Sequence, residues 1–206
     1  MEEKEIQNEL ASIRNLMERS SKFISLSGLS GILAGIYALI GAGLAYNIVY
    51  RGPTRIYTSL SVHAFPQSLY DLIFIAIAVL LLSVTSGVIL TRKKAKRKGQ
   101  AAWGKISQSL LFHMAIPLVT GGIVILIFIF RGYYGIVGPT SLIFYGLSLV
   151  SASNFTFTMV KYLGLCEIIL GLIAACLPGY GLLFWAIGFG VLHIVYGSMM
   201  YFKYDR

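Results

Sequence analysis

Glu167, His193 and His113 are ionisable side chains that fall inside otherwise apolar stretches of the sequence. A charged group at mid-bilayer costs about 2.5–3.5 kcal/mol on insertion scales, so each needs a reason to be there. Counted from the turn near Gly179, Glu167 lies 12 residues back and His193 lies 14 residues on. At a helical rise of about 1.5 Å per residue, both sit about 20 Å from the outer surface. His113, seven residues into its own apolar stretch, falls near the same depth. The three are therefore expected to share one layer, near the cytoplasmic third of the membrane. A carboxyl and two imidazoles at one depth could relay protons or bind a cation. They could equally act as hydrogen-bonding glue between helices. Three such groups also satisfy the ligand number of an open metal site, but their spacing matches no metal motif. Neither a metal nor a cofactor is expected.

A membrane around these residues follows from composition. The chain has 206 residues, of which 57% are hydrophobic and 12% charged. A soluble domain carries about a quarter charged residues. That excess of apolar surface cannot be hidden inside a globule of this size, so lipid must cover it. The reading is an all-α, polytopic integral membrane bundle of six transmembrane helices. The expected spans are 23–49, 72–90, 106–130, 139–153, 159–177 and 180–201, the fourth unusually short. Together, 23–206 form one membrane domain.

Ahead of it, residues 1–22 read as a cytoplasmic amphipathic helix. Ile6, Leu10, Ile13 and Met17 recur at helical spacing among charged and amide residues. Such a helix could lie on the inner leaflet or form a seam between copies of the chain. The charged opening lacks the apolar core and small-residue cleavage site of a signal peptide, so the first span is expected to serve as the insertion signal.

The net charge of +9 could suggest nucleic acid, but its distribution argues against that partner. The basic residues abut the apolar runs, above all Arg92, Lys93, Lys94, Lys96, Arg97 and Lys98 after the second span. With that run inside, 14 Lys and Arg are cytoplasmic and three (Arg51, Arg55 and Arg131) are outside. This is the positive-inside pattern, and it places both termini in the cytoplasm. The run reads as a topology determinant in a solvated loop that could also meet anionic lipid headgroups. Cys166 and Cys176, ten residues apart in one span, point to different faces and read as small apolar residues.

Glycines dominate the helix-packing signals. Gly28, Gly31 and Gly35 lay a small-residue face along the first span, fit for close approach of a helix of this chain or of another copy. A homo-oligomer through that span or the N-terminal helix is one expected partner, beside the lipid bilayer itself. Gly28–Gly35 (GLSGILAG) resembles Gly164–Gly171 (GLCEIILG) of the fifth span, and Ser141–Gly146 of the fourth resembles Gly181–Ala186 of the sixth. Odd spans echo odd and even echo even, as in a helical hairpin repeated three times.

The last hairpin carries Gly164 and Gly171, then Pro178-Gly179-Tyr180-Gly181 at its turn. Trp185, Gly188 and Gly197 follow, with a closing Lys203-Tyr204-Asp205-Arg206. Over residues 160–206 this resembles HdeD-like proteins, small six-span bacterial membrane proteins linked to acid resistance. The resemblance implies a six-span fold in a bacterial inner membrane and an envelope or stress role. It does not extend to the earlier hairpins or to Glu167 and His193.

No phosphate-binding glycine loop, HExxH, GxSxG, CxxC or paired carboxylates occur, so no enzymatic activity is expected. The first functional expectation is a non-catalytic membrane protein acting through oligomerisation, lipid or a partner. The alternative is a small proton- or ion-coupled transporter or channel built on Glu167, His193 and His113, its substrate unspecified.

Overall fold

The computed structural model describes residues 27–50, 67–97 and 103–205, together with Gln7. The expected N-terminal amphipathic helix, the outer loop holding Pro53, His63 and Pro66, and Lys98 lie outside the described residues. Within them the chain is all-α. Six helices are long and apolar enough to cross a membrane: α1 (Gly28–Tyr50), α2 (Gln67–Arg97), α3 (Lys105–Phe130), α4 (Tyr134–Phe155), α5 (Thr158–Cys176) and α6 (Gly181–Asp205). This is the architecture of a multi-pass membrane protein. Helices are what such apolar runs must form, because lipid offers no hydrogen-bond partner to an open backbone.

Two elements differ from expectation. The fourth span is not short: 3-10 turns at Tyr134–Ile136 and Ser153–Phe155 extend the helix Val137–Ala152 at both ends. The basic run is not a loop either, since α2 continues as a helix to Arg97. The tight connections use glycine where the backbone turns left-handed, at Gly132 (φ 78°) after α3 and Gly179 (φ 94°) between α5 and α6.

The helices pack with α2 against α1, α1 against α6, α6 against α4 and α5, α5 against α4, and α3 against α4. Glycine sets the closest of these contacts. A Cβ on Gly35 would lie 2.6 Å from the Gly190 carbonyl oxygen, and one on Gly31 would lie 3.1 Å from Cα of Gly197. The Gly28/Gly31/Gly35 face therefore seats α6 of the same chain. In α5, a Cβ on Gly164 would lie 2.7 Å from the Gly146 carbonyl oxygen, and one on Gly171 would lie 2.9 Å from the Pro139 carbonyl oxygen.

The two interfaces, α1 on α6 and α5 on α4, are thus built alike, which supports the echo between the first and fifth spans. They correct the echo between the fourth and sixth. By position in the two interfaces, Gly146 corresponds to Gly197 rather than to Ala186, and Ile143-Phe144-Tyr145-Gly146 to Ile194-Val195-Tyr196-Gly197.

At the basic end of the bundle, Lys94 of α2 is buried and ion-paired with Asp205 of α6. The other Asp205 carboxylate oxygen accepts from Ser27 Oγ (3.1 Å) and from the Gly28 backbone N–H (2.9 Å). The last described residue thus caps the first transmembrane helix, where the exposed N–H groups and helix dipole favour an anion. Lys94 Nζ lies 5.6 Å from the centre of the Phe157 ring, which stacks on Tyr204 at 4.3 Å. At the opposite end, the Tyr50 hydroxyl donates to the Gly179 carbonyl at 2.6 Å, tying α1 to the α5–α6 turn.

Candidate functional site in the middle of the membrane helices

Glu167 stands nine residues from either end of α5, and His193 twelve from either end of α6. Both are therefore central in their helices. Glu167 is 0% exposed and His193 7%. His193 Nδ1 lies 3.4 Å from Glu167 Oε1 and 3.0 Å from the Gly188 carbonyl oxygen. Its other nitrogen, Nε2, lies 2.7 Å from the Tyr145 hydroxyl of α4. Three helices thus contribute one carboxyl, one imidazole and one phenol in a row.

Local backbone form sets this geometry. Residues Ala186–Leu192 of α6 are π-helical, ending just before His193. Such segments arise where a helix accommodates an extra residue, often at functional sites. The His193 ring reaches back five residues to the Gly188 carbonyl, which accepts from Nδ1–H; in that tautomer Nε2 accepts from Tyr145. Gly188 has a second role. A Cβ there would collide with Oε2 of Glu167 and Cδ2 of Leu142, so the ends of both side chains would have to shift. Phe189 and Tyr145 flank the imidazole, with ring centroids 6.0 and 5.4 Å from it.

Neither carboxyl oxygen of Glu167 has a hydrogen-bond partner among the described residues. The 3.4 Å approach of His193 is a contact longer than an ordinary N–H···O bond. A bare carboxylate in so dry a place would cost several kcal/mol, so a proton or a cation has to compensate it. The row can hold a proton on Glu167, and a small closure of the gap would let its carboxyl accept from His193 Nδ1–H.

His113 does not join this cluster. It lies on α3, which packs against α4; its ring is exposed, bonds the Ser109 carbonyl at 2.8 Å and rests on Phe155 at 4.6 Å. Equal depth put it in the expected layer, but depth says nothing about which way a helix is rotated. Among the described residues no three His, Cys, Asp or Glu side chains lie close enough to hold a metal ion. Tyr145 was not singled out in the sequence, where it reads as one more aromatic of an apolar span. The faint signal is that Ile-x-Tyr-Gly occurs both at 143–146 and at 194–197.

The packing equivalence of the two glycine interfaces places Gly31 where α5 has Glu167, and Leu142 where α6 has His193. The site is therefore built once, not in each copy of the repeat. No family model, curated protein or solved structure matches the chain, so its function is read from this geometry.

Proposed function

We propose that this protein works in a plasma membrane of the bacterial inner-membrane type, with both termini cytoplasmic. In this reading it is a small proton-coupled transporter or channel whose Glu167–His193–Tyr145 row binds and passes the proton. The observation that carries the reading is a fully buried carboxyl, central in its helix, with no hydrogen-bond partner among the described residues and an imidazole 3.4 Å away. Proton transfer suits this donor set better than metal-ion binding. A hard cation wants about six oxygen ligands, whereas the immediate surroundings of Glu167 include the side chain of Leu142 and the glycine Gly188. The orientation rests on the basic residues at the Lys94–Asp205 end.

The tight seal around Glu167 favours a second reading, in which the neutral carboxyl only ties α5 to α6. The protein then acts as a non-catalytic envelope protein through lipid or a partner. Proton flux in reconstituted vesicles under an imposed pH gradient separates the two. Flux above empty vesicles, lost in Glu167→Gln and weakened in Tyr145→Phe, is the expected result. Stable, inserted wild-type protein that gives no flux overturns proton conduction and leaves the packing role.

A further inference from the structure

Helix α2 is longer than a membrane needs. Its 31 residues extend about 46 Å, against a hydrocarbon core of about 30 Å. The excess is not frayed chain, because the helix persists through Arg92–Arg97 and is pinned there. Lys94 and Ala95 face inward and are buried, Lys94 on Asp205 and over the Phe157 ring. With those two turned in, Arg92, Lys93, Lys96 and Arg97 are left exposed on the same turn and a half. Lys161, one turn beyond Phe157 in α5, and Lys203, two residues before Asp205, add two exposed cations at this end. Among the described residues, the carboxylate at this end is Asp205, already engaged by Lys94, Ser27 and Gly28. Asp71 belongs to the opposite end of α2.

We propose that the last turns of α2 form a binding site for the headgroups of anionic phospholipids, held at headgroup depth by the Lys94–Asp205 pair. A helix presents its cations at fixed positions, which a solvated loop does not. Two guanidinium forks beside two ammonium groups match the two unesterified oxygens of a phosphodiester. The apolar body of α2 just below is the surface along which that lipid's acyl chains lie: Phe74, Leu81, Val84 and Val88 are all exposed. The occupant is therefore an intact anionic lipid rather than a soluble phosphate. This inference is independent of the proton reading of Glu167.

The test is native mass spectrometry of detergent-purified protein equilibrated with equal amounts of phosphatidylglycerol and phosphatidylcholine, with glycerol phosphate as the soluble control. Wild type should retain the anionic lipid roughly tenfold over the zwitterionic one, as expected for several cations acting together. The variant Arg92→Gln/Lys93→Gln/Lys96→Gln/Arg97→Gln should lose the preference, while Arg92→Lys/Arg97→Lys, which keeps the charge but not the forks, should keep only part of it. Working in detergent separates lipid binding from any effect of the charges on insertion. If the fourfold variant does not fold, Lys93→Gln/Lys96→Gln serves in its place and should show a reduced preference. Equal retention of the two lipids by wild type overturns the proposal. So does an undiminished preference in a folded glutamine variant, or competition by glycerol phosphate as strong as by the lipid.

Discussion

His193 Nδ1 faces two oxygens at once, the Gly188 carbonyl at 3.0 Å on its own helix and Oε1 of Glu167 at 3.4 Å on the neighbouring one. The nearer oxygen accepts from Nδ1–H and holds the ring in one tautomer, and a small movement would bring the farther one within hydrogen-bond reach of the same N–H. The α5–α6 contact is an ion pair only when the carboxyl has lost its proton and the imidazole carries two.

Gly188→Ala tests how tightly that arrangement is built. The added methyl meets Oε2 of Glu167 and the buried Leu142 side chain, so it overfills the site. Overpacking of this kind costs about 1–3 kcal/mol. The melting temperature in detergent should fall, and combining the change with Glu167→Ala should recover part of the loss. A strictly additive double variant would separate Gly188 from Glu167.

The α1–α6 seam gives a contrast between glycines. Gly197→Ala places a Cβ 2.6 Å from the Ile32 amide nitrogen and 2.8 Å from the Gly28 carbonyl oxygen, and Gly35→Leu wedges the helices further. Both should lower thermal stability markedly. A Cβ on Gly43 or Gly87 meets nothing within 4 Å. Alanine at those positions should be neutral or stabilising by up to about 1 kcal/mol, since glycine is the poorer helix former. Equal loss at all four sites in a melting series would remove the seam as the cause.

Breaking the Lys94–Asp205 pair should loosen α1, α2 and α6 together. Asp205→Ala removes both the charge that holds Lys94 and the acceptor that caps α1, and charged hydrogen bonds of this sort are worth about 1.5–3 kcal/mol. Hydrogen exchange should then speed at the first turn of α1 as well as at the last turn of α2. Faster exchange confined to α6 would show that the cap carries no stability.

Topology is checked by a reporter in the segment 98–102 that joins α2 to α3. An alkaline phosphatase fusion there should be inactive and a fluorescent-protein fusion bright, as for a cytoplasmic connection. The reverse pattern would invert the bundle and turn the basic end outward.

Much of this protein follows from the sequence alone. Apolar runs of membrane length in a chain with 12% charged residues dictate six helices in lipid. Glu167 and His193 stand out because an ionisable residue in such a run is costly and rare. Spacing along a helix fixes depth, and on depth alone His113 belonged beside them. Tertiary structure decided against it, because α3 packs on α4 with His113 exposed, whereas the close α4–α5 and α5–α6 contacts bring Tyr145, His193 and Glu167 together.

The glycine stripe of α1 was equally plain in the sequence, but its partner was not, since a small-residue face fits any helix that can approach it. Gly190 and Gly197 of α6 settled that, and with it the register of the internal repeat. Lys94 looked like one of six cations in a solvated run until the fold brought Asp205 to it from 111 residues away. Hydropathy and charge are sums over neighbouring residues and so can be read along the chain. Rotation about a helix axis and the choice of packing partner are set by contacts between distant segments, which the folded chain alone supplies.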